Sequence, residues 1–455
     1  MKKWIALLLA LLTSFSFVAC GGGEEDNVVD WGPETGTISF YVAGGTVELE
    51  LWDALIAGFE DENPGITVDK KLFSDYDTVY SDLGAGVAAD VIQVPNSYLG
   101  NWASRGALKS IQPFIDAENF DTSVYFDAII PMFSYSSKTK KRGEGDLYAL
   151  PKDFGIIGVY VNLDIVNNAV KNGLITEAEK TKLLDKENPL TYDEYAELAH
   201  KLTIVKKGVT TQYGSSAINC ESYLWGLGTD LIKDEKYFNA DDPKVHQVYQ
   251  YVSDMMDKDS EIYCAPSIDD MTSQDSGSMF MSGKIAMYWA GRWTAPGYDA
   301  AKMNYCVIPI PVAEKGDEPV TYAVSAGYAI SRNCKKQGMA WKLIKYLASE
   351  KAYRTLNKLN YAVPAIKSLI DDPEFTTPVQ GTPMTEADLK VFFDAAKTAR
   401  RAHSDYFTSN RWIDLFNSKL DDMFLDGTMT AAQCIKDMEA DINAAIKQSD
   451  PALFQ

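Results

Sequence analysis

Two α/β lobes, each wound about its own largely parallel sheet, are the fold that this sequence predicts. Short strand-like runs alternate with helix-length amphipathic segments, the pattern of a doubly wound α/β sheet. The 455 residues, 46% of them hydrophobic, exceed what one core usually holds and point to two domains. No fixed-period repeat runs through the chain, which excludes a solenoid.

Folding starts near Thr37. The run Thr37 to Val42 carries alternating and β-branched residues and reads as a strand. Gly44-Gly45 turns it into a helix with Val47, Leu51, Leu55 and Phe59 on one face, and Asn63-Pro64-Gly65 stops that helix. Ile66 to Val68 is a second strand, Tyr76 to Val87 a helix, and Val91 to Val94 a third strand closed by Pro95. Gly84 and Gly86 superficially match a dinucleotide fingerprint. They follow a helix and lead into a strand, the reverse of the required order, so they read as helix-ending glycines. Strands recur at Ile156 to Val161 and Ile285 to Trp289, and helices at Tyr192 to Leu202 and Met339 to Ser349. From Thr385 the chain is mostly helical, interrupted at Gly427 and ending in Ala431 to Ile446, as suits helices packed over one lobe.

The N-terminus sets the compartment. Lys2 and Lys3 precede an apolar run, Ile5 to Leu12, and a small-residue cleavage site, Phe17-Val18-Ala19-Cys20. The apolar stretch from Trp4 to Ala19 is shorter than the ~20 residues a spanning helix needs, so residues 1–19 read as a processed signal peptide. Cys20 resembles the lipid-modified cysteine of bacterial lipoproteins, with Phe17 where that pattern usually has Leu. The alternative is ordinary secretory cleavage with an unmodified thiol. Residues 20–36, rich in Gly and acid, have too little apolar surface to fold and read as a flexible tether. The formal charge of −21 becomes about −23 once Lys2 and Lys3 are removed, and such a chain repels nucleic acid and anionic membrane surfaces. Cys220, Cys264, Cys306, Cys334 and Cys434 are odd in number and widely spaced; they read as small buried hydrophobes, with a single bridge left open.

Most catalytic chemistry finds no support. His200, His246 and His403 stand far apart without a His-x-x-x-His or cysteine cluster and read as ordinary surface or helix histidines, so no metal is expected. There is no phosphate-binding Gly-x-x-x-x-Gly-Lys loop and no Gly-x-Ser-x-Gly elbow. Acidic runs such as Asp269-Asp270 with Asp275, or Asp257-x-Asp259-x-Glu261, leave a Ca²⁺ ion open as an alternative, but the second lacks the turn glycine of a calcium loop and both read as solvated surface. A secreted glycosidase stays open as an alternative, because sugar hydrolysis needs only two carboxylates and 64 acidic residues supply pairs such as Asp53 with Asp153.

The runs Phe59-Glu-Asp-Glu-Asn-Pro-Gly-Ile-Thr-Val68, Gly84-Ala-Gly-Val-Ala-Ala-Asp-Val91 and Gly106-Ala-Leu-Lys-Ser-Ile111 open an ordered set of motifs. Leu147-Tyr-Ala-Leu-Pro151, Val159-Tyr-Val-Asn162, Phe280-Met-Ser-Gly-Lys-Ile-Ala-Met-Tyr288 and Ala323 to Ser331 continue it. Together they resemble the extracellular solute-binding proteins of the maltose and multiple-sugar class, over roughly residues 37 to 447. Each motif is unspecific, and their order carries the resemblance. It implies a periplasmic-binding-protein-like type II fold with a hinge and a C-terminal helical region. Lobe one falls at 37–151 plus 304–355 and lobe two at 152–303 plus 356–455. It further implies a monomeric, cofactor-free sugar carrier that catalyses nothing, tethered outside the cytoplasm by a lipid and delivering to the permease subunits of an ABC importer.

A neutral sugar presents hydroxyls that need directed polar partners and C–H faces that lie flat on aromatic rings. The segment Met287-Tyr-Trp-Ala-Gly-Arg-Trp-Thr294 ends a strand at Gly291 and sends Arg292 and Trp293 into a loop. By the resemblance, Trp293 is the stacking platform and Arg292 a hydroxyl donor, while Trp289 on the strand reads as core. Tyr223 and Trp225 fall in a segment that lines the second lobe's cleft in the family, against a helix-packing alternative. Trp412 and Arg411 match a segment that reaches the sugar. Loops after parallel strands add Tyr41, Glu48 and Asn96, and the crossovers add Asp153 and Tyr361. A peptide or polyamine ligand on the same fold stays open; it would want charged clamps or several carboxylates.

Overall fold

The computed structural model describes residues 29–455 except 44, 45, 74, 359, 427 and 428, with the side chains of 46–48 and 424–426 also left undescribed. The expectations for the signal peptide, for Cys20 and for most of the tether, as well as the interruption at Gly427, lie outside the described residues. No helix among the described residues is long and apolar enough to cross a membrane.

Two main sheets form. The first runs Ile66–Leu72, Gly36–Val42, Val91–Pro95, Ala326–Ser331, Leu108–Lys109, with Ala149–Pro151 also on Ala326–Ser331. Its first three strands are parallel, and Ala326–Ser331 joins them antiparallel. The helix Thr46–Glu62 follows the first strand and buries Leu51, Leu55 and Phe59, which stand four residues apart on one face. The helix Tyr76–Ala85 starts at Asp75, whose side chain accepts from the Thr78 amide, and ends at Gly86 in the left-handed region, the turn role expected for that glycine.

The second sheet runs Arg400–Arg401, Tyr322–Val324, Gly155–Asn162, Ile285–Gly291, Val209–Ser215, Ile204–Lys206, with Tyr305–Ile308 also on Gly155–Asn162. All eight residues of Gly155–Asn162 are buried. Its two faces feed different cores: Ile156 and Tyr160 join the larger one, which continues into the first lobe, while Ile157, Val159 and Val161 join the second. Burial on both faces is why this strand reads as an unbroken apolar run. The C-terminal helices Arg411–Asp426 and Ala431–Ser449 cover the second core together with Pro243–Met256, as expected for helices over one lobe.

Strand pairing corrects the lobe boundaries. Residues 304–324 were expected in lobe one, yet Tyr305–Ile308 and Tyr322–Val324 pair with Gly155–Asn162 in the second sheet, so the chain crosses back at Ser325. The stretch 361–376, assigned by sequence to lobe two, stays with the first lobe through bridges Tyr125–Ile366 and Phe154–Val363 and the Lys367–Asp127 ion pair. All five cysteines among the described residues are free, four of them buried.

Candidate ligand cleft

Ligands of open α/β sheets bind beyond the carboxyl ends of parallel strands. In the first lobe those ends are Val42, Leu72 and Pro95; in the second they are Ser215 and Gly291, with Val324 beside the crossover. The crossover residues 152–154 and Ser325 lie between the two sheets and form the floor.

Trp293 sits where the second sheet opens toward this floor. The chain leaves the strand at Gly291 and makes a single 3-10 turn, Arg292–Thr294. The half-buried Trp293 ring passes over Gly291 and Gly155, close enough that a Cβ on Gly291 would lie 1.8 Å from Trp293 Cζ3. Trp293 lines a cavity of about 390 Å3 with Asp275, Tyr288, Thr294, Tyr298 and Tyr361. Aromatic rings and one carboxylate around a concave space are the chemistry that holds a sugar face and its hydroxyls. Gly291 has an ordinary φ of −85°, so the backbone would accept a side chain there and the ring is the nearest obstacle to one. Gly291→Ala is therefore expected to push the indole aside and weaken ligand binding by roughly tenfold or more, the scale of overpacking by one methyl. Calorimetry showing unchanged affinity would take the ring out of the binding surface.

Arg292 faces the opposite way from the expectation, and this is a correction. It is 1% exposed. Its Nη1 donates to Ala362 O at 3.0 Å and its Nη2 to Asn357 Oδ1 and Asn360 Oδ1 at 3.1 Å each. Burial brings its pKa down to about 10. The guanidinium ties the 3-10 turn to the segment returning from lobe one, and its donors are committed there.

Lys152 was not singled out from sequence, and it organises the floor. Its Nζ donates to Tyr361 Oη at 2.9 Å, lies 3.6 Å from Asp153 Oδ2 and stands 4.6 Å from the Tyr361 ring centroid. Burial opposes the ammonium, but Tyr361 and Asp153 outweigh it and raise its pKa. Asp153 also accepts from the Ala326 amide, and Ser325 Oγ donates to the Asp153 carbonyl. Asp153 and Tyr361 thus meet at the floor, Tyr361 lining the Trp293 cavity directly. Tyr76, on the first lobe's rim, lies within electrostatic reach of Lys152, Asp153 and Tyr361, and burial raises its pKa to about 12. Tyr76 and Tyr98 pack with ring centroids 5.4 Å apart, and neither was expected as a site residue.

The other expected residues are placed differently. Asn96 is buried, with Nδ2 donating to Asp405 Oδ2 at 2.6 Å and Oδ1 accepting from the Ser325 amide, so it is a structural tie. Tyr223 is buried and stacks on Tyr192 at 3.7 Å, the helix-packing alternative. Trp225 is buried, its Nε1 donating to Asp230 Oδ2 at 3.0 Å with Arg400 over its ring. Trp412 is also buried, edge-on to Phe407. Its Nε1 has no partner, and it lines a separate cavity of about 250 Å3 with Asn219, Glu221 and His403. Arg411 donates to Gln448 Oε1 at 2.7 Å on the outside of the C-terminal helices. Tyr41 donates to Asp82 Oδ2 at 2.7 Å and packs on Phe73. Glu48 lies in the first turn of Thr46–Glu62, and its side chain is outside the described atoms. Trp289 is core, as expected, and donates to Tyr195 Oη.

His403 overturns its reading as an ordinary histidine. It is 1% exposed, its Nδ1 3.4 Å from Glu221 Oε1 and its Nε2 against Asp230 Oδ1. Arg400, Asp405 and Tyr406 flank it along its own segment, and Trp225 meets it edge-on. Burial alone would depress the imidazole, but the two carboxylates win and raise its pKa. Asp230, also opposed by burial, is lowered by the His403 contact, while burial raises Glu221. A histidine whose folded pKa exceeds its unfolded value adds stability fully below about pH 6.5 and loses it as pH rises through the folded value. As pH rises above about 6.5 the melting point should therefore fall more steeply in the wild type than in His403→Gln. Parallel curves would mean that His403 is not charged.

A two-lobed α/β protein with an aromatic cavity at the lobe junction is the architecture of a solute-binding protein. Residues 54–383 match the family described as Bacterial extracellular solute-binding protein, and the chain belongs to that family. Membership places it outside the cytoplasm, among proteins that bind rather than transform their solutes. The galactooligosaccharide-binding protein of Bacillus subtilis (strain 168) is 24% identical over 388 residues, 82% of each chain. The maltodextrin-binding protein MdxE of the same organism is 24% identical over 360 residues, 77% of each. An ABC substrate-binding protein of Listeria monocytogenes in complex with cycloalternan shares the fold with a TM-score of 0.74 at 18% identity, over 90% of this chain and 98% of that one. The maltotriose-bound maltose/maltodextrin-binding domain of Bdellovibrio bacteriovorus has a TM-score of 0.68 at 17% identity, over 90% and 100%.

Proposed function

We propose that the protein is the sugar-capturing component of an ABC importer, tethered to the outer face of the cell membrane through Cys20 and handing its ligand to permease subunits. The observation that carries the sugar reading is the Trp293 ring laid over two glycines at the mouth of an aromatic cavity. A flat ring supported by small residues offers a C–H stacking face, and Asp275, Tyr288 and Tyr361 stand around it to meet hydroxyls. The sugar-binding names of its relatives agree with this chemistry. Ligand that touches both lobes favours their closed arrangement, and that arrangement is what a permease reads.

The test is a thermal-shift screen of the protein against mono- and oligosaccharides, because a ligand that binds only the folded chain raises its melting point. An oligosaccharide is expected to give the largest shift. Silence across sugars with a response to amines would replace the reading with a polyamine carrier. For the anchor, wild-type protein should partition with membranes until detergent is added, and Cys20→Ser should release it or block processing. Equal membrane association of both forms would exclude the lipid.

A further inference from the structure

The C-terminal helical pair carries a second constellation, remote in sequence from the residues of the cleft. Between Arg411–Asp426 and Ala431–Ser449 lies a cavity of about 170 Å3 lined by Met423, Met429, Cys434 and Met438, together with Lys419, Asp422 and Asp437. Four of its seven lining residues carry sulfur, which is far above their share of the chain, with 14 Met and 6 Cys in 455 residues. Cys434 and Met438 are four residues apart on one helix and therefore share a face, the spacing by which helical motifs present two ligands to one metal. Met423 comes from the facing helix and Met429 from the connection between them.

Packing accounts for only part of this arrangement. Met423, Cys434 and Met438 are buried in the second core, but Met429 is 43% exposed and contributes little to it. Cys434 donates its S–H to Lys419 O at 3.5 Å. Among the described residues no group of three or more His, Cys, Asp and Glu side chains is placed to hold a metal. Zinc and the hard cations, which depend on such groups, are therefore poorly served here, whereas thioether and thiolate sulfur select soft ions.

We propose that this cavity binds a soft monovalent cation, Cu(I) or Ag(I), through the Cys434 thiolate and the thioethers of Met423, Met429 and Met438. On binding, the Cys434 S–H bond breaks, its proton leaves to solvent, and the sulfur lone pair forms the bond to the metal. No electron is transferred, and the thiolate cancels the charge of the ion. Asp422 and Asp437 favour entry of a cation through a chain that is negative overall.

The test uses the full chain in detergent, titrated anaerobically with Cu(I) in the presence of ascorbate against a chromophoric chelator, and separately with Ag(I), which needs no reductant. One equivalent of either ion should be retained at this site. Cys434→Ser should cost roughly a hundredfold in affinity and Met429→Leu roughly tenfold, spanning the range lost when even outer partners of a metal site are removed. X-ray absorption should find a sulfur-only first shell. Met429 is exposed, so its variant keeps the core and decides the matter even if Cys434→Ser fails to fold. Loss of binding in Cys434→Ser with full retention in both Met429→Leu and Met438→Leu would leave only a bare thiol and overturn the proposal. So would a nitrogen- or oxygen-containing shell, or Zn(II) retained as tightly as Cu(I).

Discussion

Trp293→Ala is expected to weaken sugar binding by about 2 to 4 kcal/mol, a fall of roughly 30- to 800-fold, as for other aromatic anchors. Two losses combine: the apolar area that the indole shares with the C–H face of a sugar, and the ring-specific contact beyond that area. The ring already rests on Gly155 and Gly291, so it is ordered before ligand arrives and little entropy is lost on binding. Because Trp293 is only half-buried, its removal should trim the ligand-free melting point modestly while binding falls steeply. Phe should restore much of the affinity and Leu far less, since only an aromatic offers a π face. Titration calorimetry with the best ligand from the screen decides between the outcomes. Unchanged affinity in the alanine variant removes Trp293 from the site, and a collapsed melting point assigns it to the core instead.

The fold was legible wherever one residue pattern had one structural meaning. Leu51, Leu55 and Phe59 repeat at helical spacing, and the short, β-branched apolar run of Gly155–Asn162 suits a strand buried on both faces. The lobe boundary was not legible, because Tyr305–Ile308 and Tyr322–Val324 look like any short strands. Their place depends on antiparallel pairing with a segment far earlier in the chain. The site divides in the same way. The place of Trp293 beside its cavity was legible because a glycine ends its strand and a large ring follows. Its neighbour Arg292 turns inward on a 3-10 turn toward Asn357 and Asn360, partners that no local pattern reveals. Trp412 stands at the start of a helix and Tyr223 and Trp225 within a short one, places where a cleft wall and a core contact look alike. Lys152 was overlooked beside Asp153, since what makes it important is enclosure by Tyr361 and Trp52, which arrive from other parts of the chain.

Asp405→Ala is expected to cost the folded state about 3 to 5 kcal/mol, the loss typical when one partner of a buried ion pair is removed. Arg142 Nη2 lies 3.3 Å from Asp405 Oδ1, and neither side chain is exposed. The guanidinium's Nη groups also donate to the carbonyls of Asn96, Met132 and Ser404 at 2.9 to 3.0 Å, bonds that leave Nε without a partner and cannot neutralise the charge. Burial drives the two groups in opposite directions, Arg142 down and Asp405 up, each toward its neutral form. The pair therefore gains from mutual attraction what each ion loses in hydration, and alanine leaves that loss uncompensated. Asn96, which donates to the other carboxylate oxygen, would be left with an idle amide as well. The cost should appear as a lower urea midpoint with an unchanged slope. Asp405→Asn separates charge from shape: near-alanine destabilisation means the charge matters, and near-native stability means hydrogen bonding suffices. Replacing both residues, Arg142→Met with Asp405→Leu, should recover much of the loss, because two apolar side chains need no compensation. A fall of less than about 1 kcal/mol in Asp405→Ala would show that the carbonyls alone hold Arg142. Arg142 belongs to the first lobe, and Asp405 follows the strand Arg400–Arg401 of the second sheet. The pair is therefore one of the ties that hold the two lobes in register beneath the cleft, and its removal should loosen ligand binding along with the fold.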